Sequence, residues 1–460
     1  MLTTFAKRYP ALSEILHLLF PMILTMTLEL SISLVDTIML GHYDSLHLAA
    51  VGLASSLWGP VACFMIGVTF GLTPLITRHL HGRQRKLVNL YMSQAFGLSL
   101  ILGVIGAILS VTLLPMVAQM MASEAETQRV TAQYLYFFSP TFMALALMTS
   151  YKNLFEAAGK PRIPLLVATL SLILNITFNY LLIYGNFGFP EMGASGAAIA
   201  SAASVWLSLL VFVFYDLRVN RDTLFSRIDW YYVRNPGILF GVGLPAGFAF
   251  SFEIGLFSSL TWLISAFGDL ALGAGQIVMS YCTILFTPLM AMSAVTAIVV
   301  AKAMATDGID AVQKRVRIIL ALGFGYVSIC FIVTQGLHDR IPFLFSSNEV
   351  VAAMAAGILL ISSTYQFPDM VQTVFTGALR GFRDTRSSMI AMAVSLFGLS
   401  IPLGYWLAHL SPWSDTLNVR GLYVGLGVGL TILAMILLAR YRMTLKKFHN
   451  KKLPHPEEVA

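Results

Sequence analysis

The sequence predicts an all-α polytopic membrane protein with twelve transmembrane helices in two six-helix lobes, related by a pseudo-two-fold axis along the membrane normal. Three observations support this prediction: a low charge content, twelve apolar segments of membrane-spanning length, and an internal repeat. Only 11% of the 460 residues are charged, whereas soluble domains carry about 25% charged residues. Too few charges remain to cover a water-facing surface, so lipid is expected to be the main solvent.

The apolar segments are each long enough to cross a bilayer, because a hydrocarbon core of about 30 Å needs about 20 helical residues. In chain order the predicted helices span 13–41, 48–77, 88–115, 131–157, 163–186, 194–216, 237–267, 271–302, 313–336, 350–379, 387–410 and 420–441. We expect an N-lobe at 1–216, a cytoplasmic inter-lobe linker at 217–236, a C-lobe at 237–442 and a cytoplasmic tail at 443–460. No loop is long enough to hold a soluble catalytic domain.

The basic residues indicate the orientation of the chain. When the loops are assigned alternately to the two sides of the membrane, 26 of the 29 Lys and Arg residues fall on the side that holds both termini. The other side holds only Arg129, Arg340 and Arg420. Cytoplasmic loops are rich in Lys and Arg, so both termini are predicted to be cytoplasmic. The net charge of +7 is therefore expected to face lipid headgroups, and no nucleic-acid partner is expected.

The two halves of the chain repeat each other. The separation of Pro21 from Pro245, which we call the repeat interval, is the same as that of Glu29 from Glu253, and these residues lie in apolar segments of similar pattern. Each half has six predicted helices, an even number, so both halves enter the membrane from the same side. This is a parallel repeat, for which a binding site is expected between the two halves.

Four acidic residues lie well inside predicted helices, namely Glu29, Asp36, Glu253 and Asp369. We expect no Lys or Arg at the same depth to pair with them. A charge at the centre of a membrane helix costs about 2.5–3.5 kcal/mol on insertion scales. Each carboxyl should therefore be protonated, bind a cation or face a water-filled cavity. The alternative is a neutral acid that is hydrogen-bonded only for packing.

In the N-terminal half, Asp36 is predicted to form a coupling site for H⁺ or Na⁺ with Asn175 and Asn179. The two asparagines are four residues apart and share a helix face. Their amides can accept from a protonated carboxyl or offer carbonyl oxygens to a cation. Hydrogen bonds that only pack one helix against another are the alternative. Glu29 lies two turns before Asp36 on the same face, which makes it a candidate cavity residue.

In the C-terminal half, Tyr365 and Asp369 are also four residues apart, with Pro368 between them. A proline within a helix frees one backbone carbonyl, here that of Thr364. An acid, a phenol and a free carbonyl form an oxygen-rich site, which Glu253 could complete. Such a site suits a hard cation, so Na⁺ is a candidate at Asp369, as it is at Asp36.

The side chains expected to line a cavity are aromatic or methionine. The chain has 31 Phe, 22 Met and 17 Tyr, and such walls adapt to varied apolar ligands and attract organic cations. Motifs for ATP binding, zinc hydrolysis or serine hydrolysis are absent, so neither an enzyme nor a cofactor is predicted. The three cysteines, Cys63, Cys282 and Cys330, fall in apolar segments and are expected to be small buried hydrophobes.

Several motifs occur in one order along the chain and on two six-helix halves. They are Pro21 with VDTIMLGH at 35–42, EAAGKPR at 156–162, NITFN at 175–179 and YQFPDMVQTVFTGALRG at 365–381. This set resembles the multidrug and toxic compound extrusion (MATE) family in its NorM-like branch, over essentially the whole chain. The resemblance implies V-shaped lobes, alternating access, and export of lipophilic, often cationic drugs in exchange for Na⁺ or H⁺. It also implies a monomer in the bacterial inner membrane.

By matched position, the resemblance assigns roles to individual residues. Asp36, Asn175 and Asn179 look like the N-lobe cation site, and Glu253, Tyr365 and Asp369 look like the C-lobe cation site. Pro21, whose ring frees the carbonyl of His17, looks like the bend point of the first helix, with a static kink as the alternative. Tyr134 is expected to face the N-lobe cavity. Some relatives have a second acid where Asn179 stands, which leaves H⁺ and Na⁺ both open at this site.

Three classes of function are compatible with these features. The first is a cation-coupled multidrug antiporter. The second is a flippase for lipid-linked saccharides, which should have a more cationic central cavity than these acids provide. The third is an intramembrane enzyme or a channel, and no paired catalytic groups are evident for the enzyme.

Overall fold

The computed structural model describes residues 9–82, 84–121, 124–218 and 237–450, and these residues are almost entirely helical, with no β-strand among them. In the N-terminal half the helices are α1 (Pro10–Tyr43), α2 (Ser45–Phe70), α3 (Leu72–His81), α4 (Arg85–Val111), α5 (Leu113–Met121), α6 (Ala125–Phe138), α7 (Thr141–Ala157), α8 (Arg162–Leu182) and α9 (Ala194–Arg218). In the C-terminal half they are α10 (Gly237–Ser265), α11 (Asp269–Thr306), α12 (Ile309–Leu337), α13 (Glu349–Gly381), α14 (Thr385–Met392), α15 (Ile401–His409), α16 (Ser414–Leu417) and α17 (Val419–Asn450). A π-helical stretch, Ala393–Ser400, joins α14 to α15.

Eleven helical spans within the described residues are long and apolar enough to cross a bilayer. The remaining predicted segment, 131–157, consists of two shorter helices, α6 and α7, which meet at Ser139 and Pro140. Proline has no N–H to donate and its ring crowds the preceding turn, which explains the break. With this pair included, the layout confirms the predicted twelve-helix arrangement.

Close packing of backbones accounts for some of the helix junctions. The helices α2 and α3 form one span that is interrupted at Gly71. A Cβ atom at Gly71 would lie 2.8 Å from the Cα atom of Gly243 in α10. Only two glycines permit the backbones to approach this closely, as in other membrane helix pairs with small residues at the contact.

The described residues form two compact units. One unit is His17–Gly247, and the other consists of the described parts of Met1–Leu16 and Phe248–Ala460. The core of the first unit contains stacked rings: Phe212 lies 6.1 Å from Tyr151 and 5.7 Å from Phe155 between ring centroids. The core of the second is built on α11, α13 and α17, with α13 packed against both of the others.

Parts of two predicted segments fall outside the described residues. Of the predicted linker at 217–236, residues 219–236 lie outside them. Of the predicted tail at 443–460, residues 451–460 lie outside them. The described residues 443–450 continue helix α17 beyond the predicted end at 441.

Candidate functional site

The structure brings the three predicted N-terminal residues together. The Asn179 Nδ2 atom donates to Asp36 Oδ1 at 2.5 Å and to Asn175 Oδ1 at 3.1 Å. Asp36 is 9% exposed, and both asparagines are completely buried. The spacing of the asparagines on α8 places both on the face that meets α1, which is why they reach the same carboxylate.

Ser201 on α9 completes this cluster, although its position in the sequence did not predict it. Its hydroxyl donates to Asp36 Oδ2 at 3.0 Å and accepts from Asn175 Nδ2 at 3.3 Å. Ser201 belongs to the small-residue stretch GASGAAIASAAS, which is typical of close helix packing. Most residues of this stretch are buried, and Ser201 also donates to the Asp36 carboxylate.

The cluster has the donor and acceptor pattern of a site for a positive ion. Both Asp36 oxygens accept hydrogen bonds from neutral groups, Asn179 and Ser201. The Asn179 Oδ1 atom is buried and has no hydrogen-bond partner within the described residues. A buried acceptor without a donor is costly, and a proton or cation beside the carboxylate would supply the missing positive charge.

Tyr134 lies in the core of this unit. Its side chain is 2% exposed, and its ring stacks on Phe138 at 5.6 Å between centroids. The Tyr134 hydroxyl interacts electrostatically with the Asp36 carboxylate. The structure therefore gives Tyr134 a packed position rather than an open cavity wall.

Glu29 forms an ion pair with a buried lysine, and the expectation that no base lies at the depth of the acids is wrong. The Lys152 Nζ atom donates to both Glu29 carboxylate oxygens, at 2.8 and 2.7 Å. Lys152 lies inside the predicted helix 131–157 but was counted with the basic residues of the cytoplasmic side, whereas the structure buries it in α7 at 7% exposure. Glu29 is therefore held by a cation of the protein itself.

A second acid, Glu156, lies beside this pair and was not predicted. It is one helical turn after Lys152 on α7, 1% exposed, and interacts electrostatically with Lys152 and Glu29. Its Oε1 atom has no hydrogen-bond partner in the part of the chain that is described. One lysine therefore faces two carboxyl groups. The only sequence signal was the i, i+4 spacing of Lys152 and Glu156.

In the C-terminal half, Glu253 and Asp369 share one glutamine. The Gln372 Nε2 atom donates to Asp369 Oδ1 at 2.9 Å and to Glu253 Oε1 at 3.4 Å. Gln372 lies three residues after Asp369 on α13, and this spacing could have indicated it. Arg380 is also buried in α13 and interacts with Glu253, although the sequence assigned it to a loop.

Tyr365 lies on α13 with Asp369 but contacts a different group. Its hydroxyl is 3.8 Å from the Cys282 Sγ atom of α11. Tyr365, Cys282 and Asp369 all line a cavity of about 290 Å³ within this unit. Helix α13 continues through Pro368 without interruption.

Pro21 lies inside the continuous helix α1. The Thr25 hydroxyl donates to the Pro21 carbonyl at 2.8 Å, so this oxygen accepts from a side chain. The division between the two compact units falls between Leu16 and His17, at the residue whose carbonyl the proline frees.

The fold and these buried charged clusters define a multi-pass membrane transporter. The MatE family model matches two stretches of the chain, 21–181 and 245–406, whose first residues are Pro21 and Pro245. The chain belongs to the MatE family, and the two matched stretches begin one repeat interval apart.

The curated relatives and solved structures agree with this assignment. The probable multidrug resistance protein NorM of Bacillus cereus is 28% identical over 452 residues, covering 97% of this chain and 98% of that protein. The multidrug resistance protein MdtK of Edwardsiella ictaluri is 28% identical over 446 residues, covering 93% and 94%. A crystal structure of MATE in the bent conformation has a TM-score of 0.85 at 18% identity, covering 95% of this chain and 96% of that chain. A MOP superfamily transporter from Pyrococcus furiosus has a TM-score of 0.83 at 20% identity, covering 95% and 97%.

Proposed function

We propose that this protein exports lipophilic, cationic compounds across the bacterial inner membrane in exchange for H⁺ or Na⁺, by alternating access of two lobes. It acts as a monomer with cytoplasmic termini and needs no cofactor. Two observations support export: the relatives are multidrug resistance proteins, and both sequence halves belong to the family.

The observation that carries the proposal is the environment of Asp36. Its carboxylate is buried, and the groups that donate to it are the neutral side chains of Asn179 and Ser201. A buried carboxylate with only neutral partners is stabilised by taking up a positive ion. This carboxyl lies among neutral amide and hydroxyl groups, and a single buried acid in such surroundings exchanges a proton readily. We therefore assign H⁺ to Asp36.

The pair of acids in the C-terminal half supports a second coupling site. Glu253 and Asp369 accept from the same Gln372 amide, so their charges are close together. Two nearby carboxylates repel each other, and one positive ion between them relieves this repulsion. The carboxylate oxygens of both acids suit either Na⁺ or H⁺, and the Tyr365 hydroxyl lies on the same cavity as Asp369.

Coupling follows if substrate and coupling ion compete for the same negative charge. A cationic drug is attracted to an ionised carboxylate and loses that attraction when the carboxylate is neutralised. The two ligands then oppose each other's binding, and linkage makes the effect reciprocal. We propose that α1 rearranges at Pro21 during this exchange.

A flippase for lipid-linked saccharides is the second candidate. Such a protein should offer basic side chains to the phosphate groups of its substrate. The described residues that line the 290 Å³ cavity include Asp369 and neither Lys nor Arg. This observation favours a cationic substrate over an anionic one.

Efflux from loaded proteoliposomes tests the proposal, with H⁺ and Na⁺ gradients imposed separately. We expect wild-type protein to export a fluorescent lipophilic cation when the H⁺ gradient alone is applied, and also when the Na⁺ gradient alone is applied. We expect Asp36→Asn to lose H⁺-driven export, because the amide cannot exchange a proton. Full gradient-driven export by Asp36→Asn would contradict the mechanism.

The matched control is Glu126→Gln, which also replaces an acid by its amide. Glu126 is exposed and lies 3.8 Å from the exposed Arg129. We expect this variant to export at the wild-type rate. A loss equal to that of Asp36→Asn would indicate a non-specific effect of removing any acid.

A further inference from the structure

His47 caps the first turn of helix α9 from a neighbouring helix. Its Nδ1 atom accepts a hydrogen bond from the Ala194 backbone N–H at 3.0 Å. Ala194 is the first residue of α9, and the first N–H groups of a helix have no acceptor within the helix itself. His47 belongs to the first turn of α2, so this bond joins the start of α2 to the start of α9.

The imidazole ring of His47 is held closely against the backbone that precedes α9. Gly193 has a φ of 54°, and a Cβ atom there would lie 2.7 Å from both the His47 Nδ1 atom and the Tyr43 Cε1 atom. The Tyr43 ring meets the imidazole edge-on, with 5.1 Å between the centroids. Because Gly193 has no side chain, both rings can rest on this backbone, and the cap has a defined geometry.

The hydrogen bond to Ala194 requires an uncharged imidazole. A backbone N–H can only donate, so Nδ1 carries no proton and the proton of the neutral ring lies on Nε2. Protonation makes Nδ1 a donor as well, and two donors then face each other. The N-terminus of a helix also carries partial positive charge, which opposes a cation at this position. Protonation of His47 should therefore break the cap.

Two carboxylates offer the charged ring another position. The titratable groups around the imidazole come from the end of α1, the turn after it and the segment before α9. Asp44 accepts from the backbone N–H of His47 at 3.2 Å, and Glu191 accepts from the hydroxyl of Tyr43. Both acids attract an imidazolium, whereas the start of α9 repels it. The ring thus has one favourable environment when neutral and a different one when charged.

Helix α9 also carries Ser201, whose hydroxyl donates to Asp36 Oδ2 at 3.0 Å. Ser201 lies about two helical turns after Ala194, and Asp36 lies about two turns before Tyr43 on α1. Helices α1 and α9 therefore meet at two levels, once at the Asp36 carboxylate and once at the Tyr43 ring. The position of Ser201 depends in part on how the start of α9 is held.

We propose that His47 is a pH-sensitive positioning residue for α9: its neutral ring fixes the first turn of the helix, and its charged ring releases that turn. Under the proposed function this turn faces the compartment from which H⁺ enters, and that placement rests on the proposed function. The cap itself depends only on the contacts of the folded chain.

Hydrogen exchange of backbone amides in detergent tests the cap. The exchange is measured by mass spectrometry on the peptide around Ala194 and corrected for the intrinsic rate at each pH. Histidine changes charge between about pH 5 and pH 8. Loss of a cap costs about 1 kcal/mol, so the corrected exchange of the wild-type Ala194 amide should be roughly fivefold faster at the lower pH.

Two variants of His47 separate the cap from its response to pH. In His47→Asn the side-chain Oδ1 atom takes the place of Nδ1, accepts from the Ala194 N–H and does not titrate. We expect slow exchange at both pH values in this variant. His47→Ala removes the acceptor, so its exchange should be fast at both.

The matched control is His42→Asn, the same change at a nearby histidine. The His42 Nδ1 atom lies 2.8 Å from the Ile38 carbonyl oxygen, which can only accept. This ring donates, so it keeps its hydrogen bond when it is protonated. We expect His42→Asn to show the wild-type pH dependence at Ala194.

Each outcome decides the inference. Equal corrected exchange at the two pH values in the wild-type protein would overturn it without any variant, so a misfolded variant cannot hide the result. Full pH dependence in His47→Asn would also overturn it, because another group would then be the sensor. The measurement needs neither an ion gradient nor a drug. A protein that shows this response but does not export would contradict the proposed function alone.

Discussion

The two halves of the protein share a backbone plan but place their charges differently. At the ends of α7 and α13, Gly159 and Arg383 both have positive φ, at 71° and 68°, and they are separated by the repeat interval. The same backbone hydrogen bonds close both turns. Yet Glu156 in the first half corresponds at this interval to Arg380 in the second, a reversal of charge.

The polar cluster of Asp36 is not repeated in the second half. One repeat interval later, Asp36, Asn175 and Asn179 correspond to three leucines, Leu260, Leu399 and Leu403. Conversely, Asp369 corresponds to Leu145 in the first half. The duplicated fold thus supplies two equivalent frameworks, and each has its own set of buried acids.

Both halves nevertheless combine two acids with one base. In the first half Glu29 and Glu156 surround Lys152, and in the second Glu253, which lies close to Asp369, interacts with Arg380. Each set, when fully ionised, has one more negative charge than positive charges. Glu29 and Glu253 occupy equivalent positions one repeat interval apart, whereas the other acid and the base of each set do not.

Breaking the ion pair of the first half should give the largest effect. In Lys152→Met, Glu29 and the buried Glu156 lose their shared cation, and because Glu29 is 35% exposed the cost should lie near the lower end of the about 3–5 kcal/mol typical of fully buried pairs. We expect a fall of this size in the free energy of unfolding, measured in mixed micelles. The double variant Glu29→Gln/Lys152→Met should recover part of it, because one of the two acids left by the single change is then neutral.

The exposed pair of the same half provides the comparison. Arg129 and Glu126 have side chains that are 67% and 54% exposed. Such pairs are worth about 0–1 kcal/mol, so Arg129→Met should change little. If Lys152→Met were as mild as Arg129→Met, the pair with Glu29 would not be part of the folded protein.

A glycine of the second half should give the next largest effect. A Cβ atom at Gly377 in α13 would overlap the Ser293 carbonyl oxygen of α11. Because that contact is with backbone, Gly377→Ala must separate the two helices, and overpacking of this kind costs about 1–3 kcal/mol. Gly325→Ala is the control, since its Cβ would meet nothing within 4 Å.

The first half has a polar side chain where this glycine stands. Asn153 precedes Gly377 by the repeat interval and is completely buried. The comparison predicts that only the second half depends on a glycine at this position for close backbone contact. Equal melting temperatures for Gly377→Ala and Gly325→Ala would remove the evidence for that difference.

The helices were predictable from the sequence because membrane-spanning apolar segments are long. The residues of the candidate site were predictable only where polar residues recur on one helix face. Asn175 and Asn179 were identified by their spacing of four, and the structure places both beside Asp36. Ser201 and Gln372 are single polar residues with no repeated pattern of their own. They were missed because only the tertiary fold brings them to the acids.

The buried bases were misassigned for a different reason. Lys152 and Arg380 lie within one or two turns of basic loops, and a charge near a helix end normally indicates solvent. The end of α13 has no glycine to mark it, since Arg383, two residues after Gly381, adopts the positive φ that glycine usually provides. For Arg380 the last turn of α13 decides whether the base is buried, and helix ends are the least predictable part of a sequence. For Lys152 the end of the helix was predicted correctly, and only the tertiary packing of α7 shows that the base is buried.

The smallest predicted effect concerns the start of the second span in each half. Asp44 caps α2 by accepting from the backbone N–H groups of Leu46 and His47, at 2.7 and 3.2 Å. Gly268, which follows Asp44 by the repeat interval, precedes α11 and provides no side-chain cap. Asp44→Ala should therefore lower stability by about 1 kcal/mol, while Asp44→Asn should lower it little because asparagine caps equally well.

Thermal unfolding in detergent can resolve this difference if the two variants are compared directly. The corresponding change in the second half, Gly268→Asp, should not stabilise the protein, because φ at this position is 92° and an L side chain is strained there. Equal losses for Asp44→Ala and Asp44→Asn would show that the carboxylate acts through its charge rather than as a cap. The two halves would then differ in electrostatics at this turn and not in hydrogen bonding.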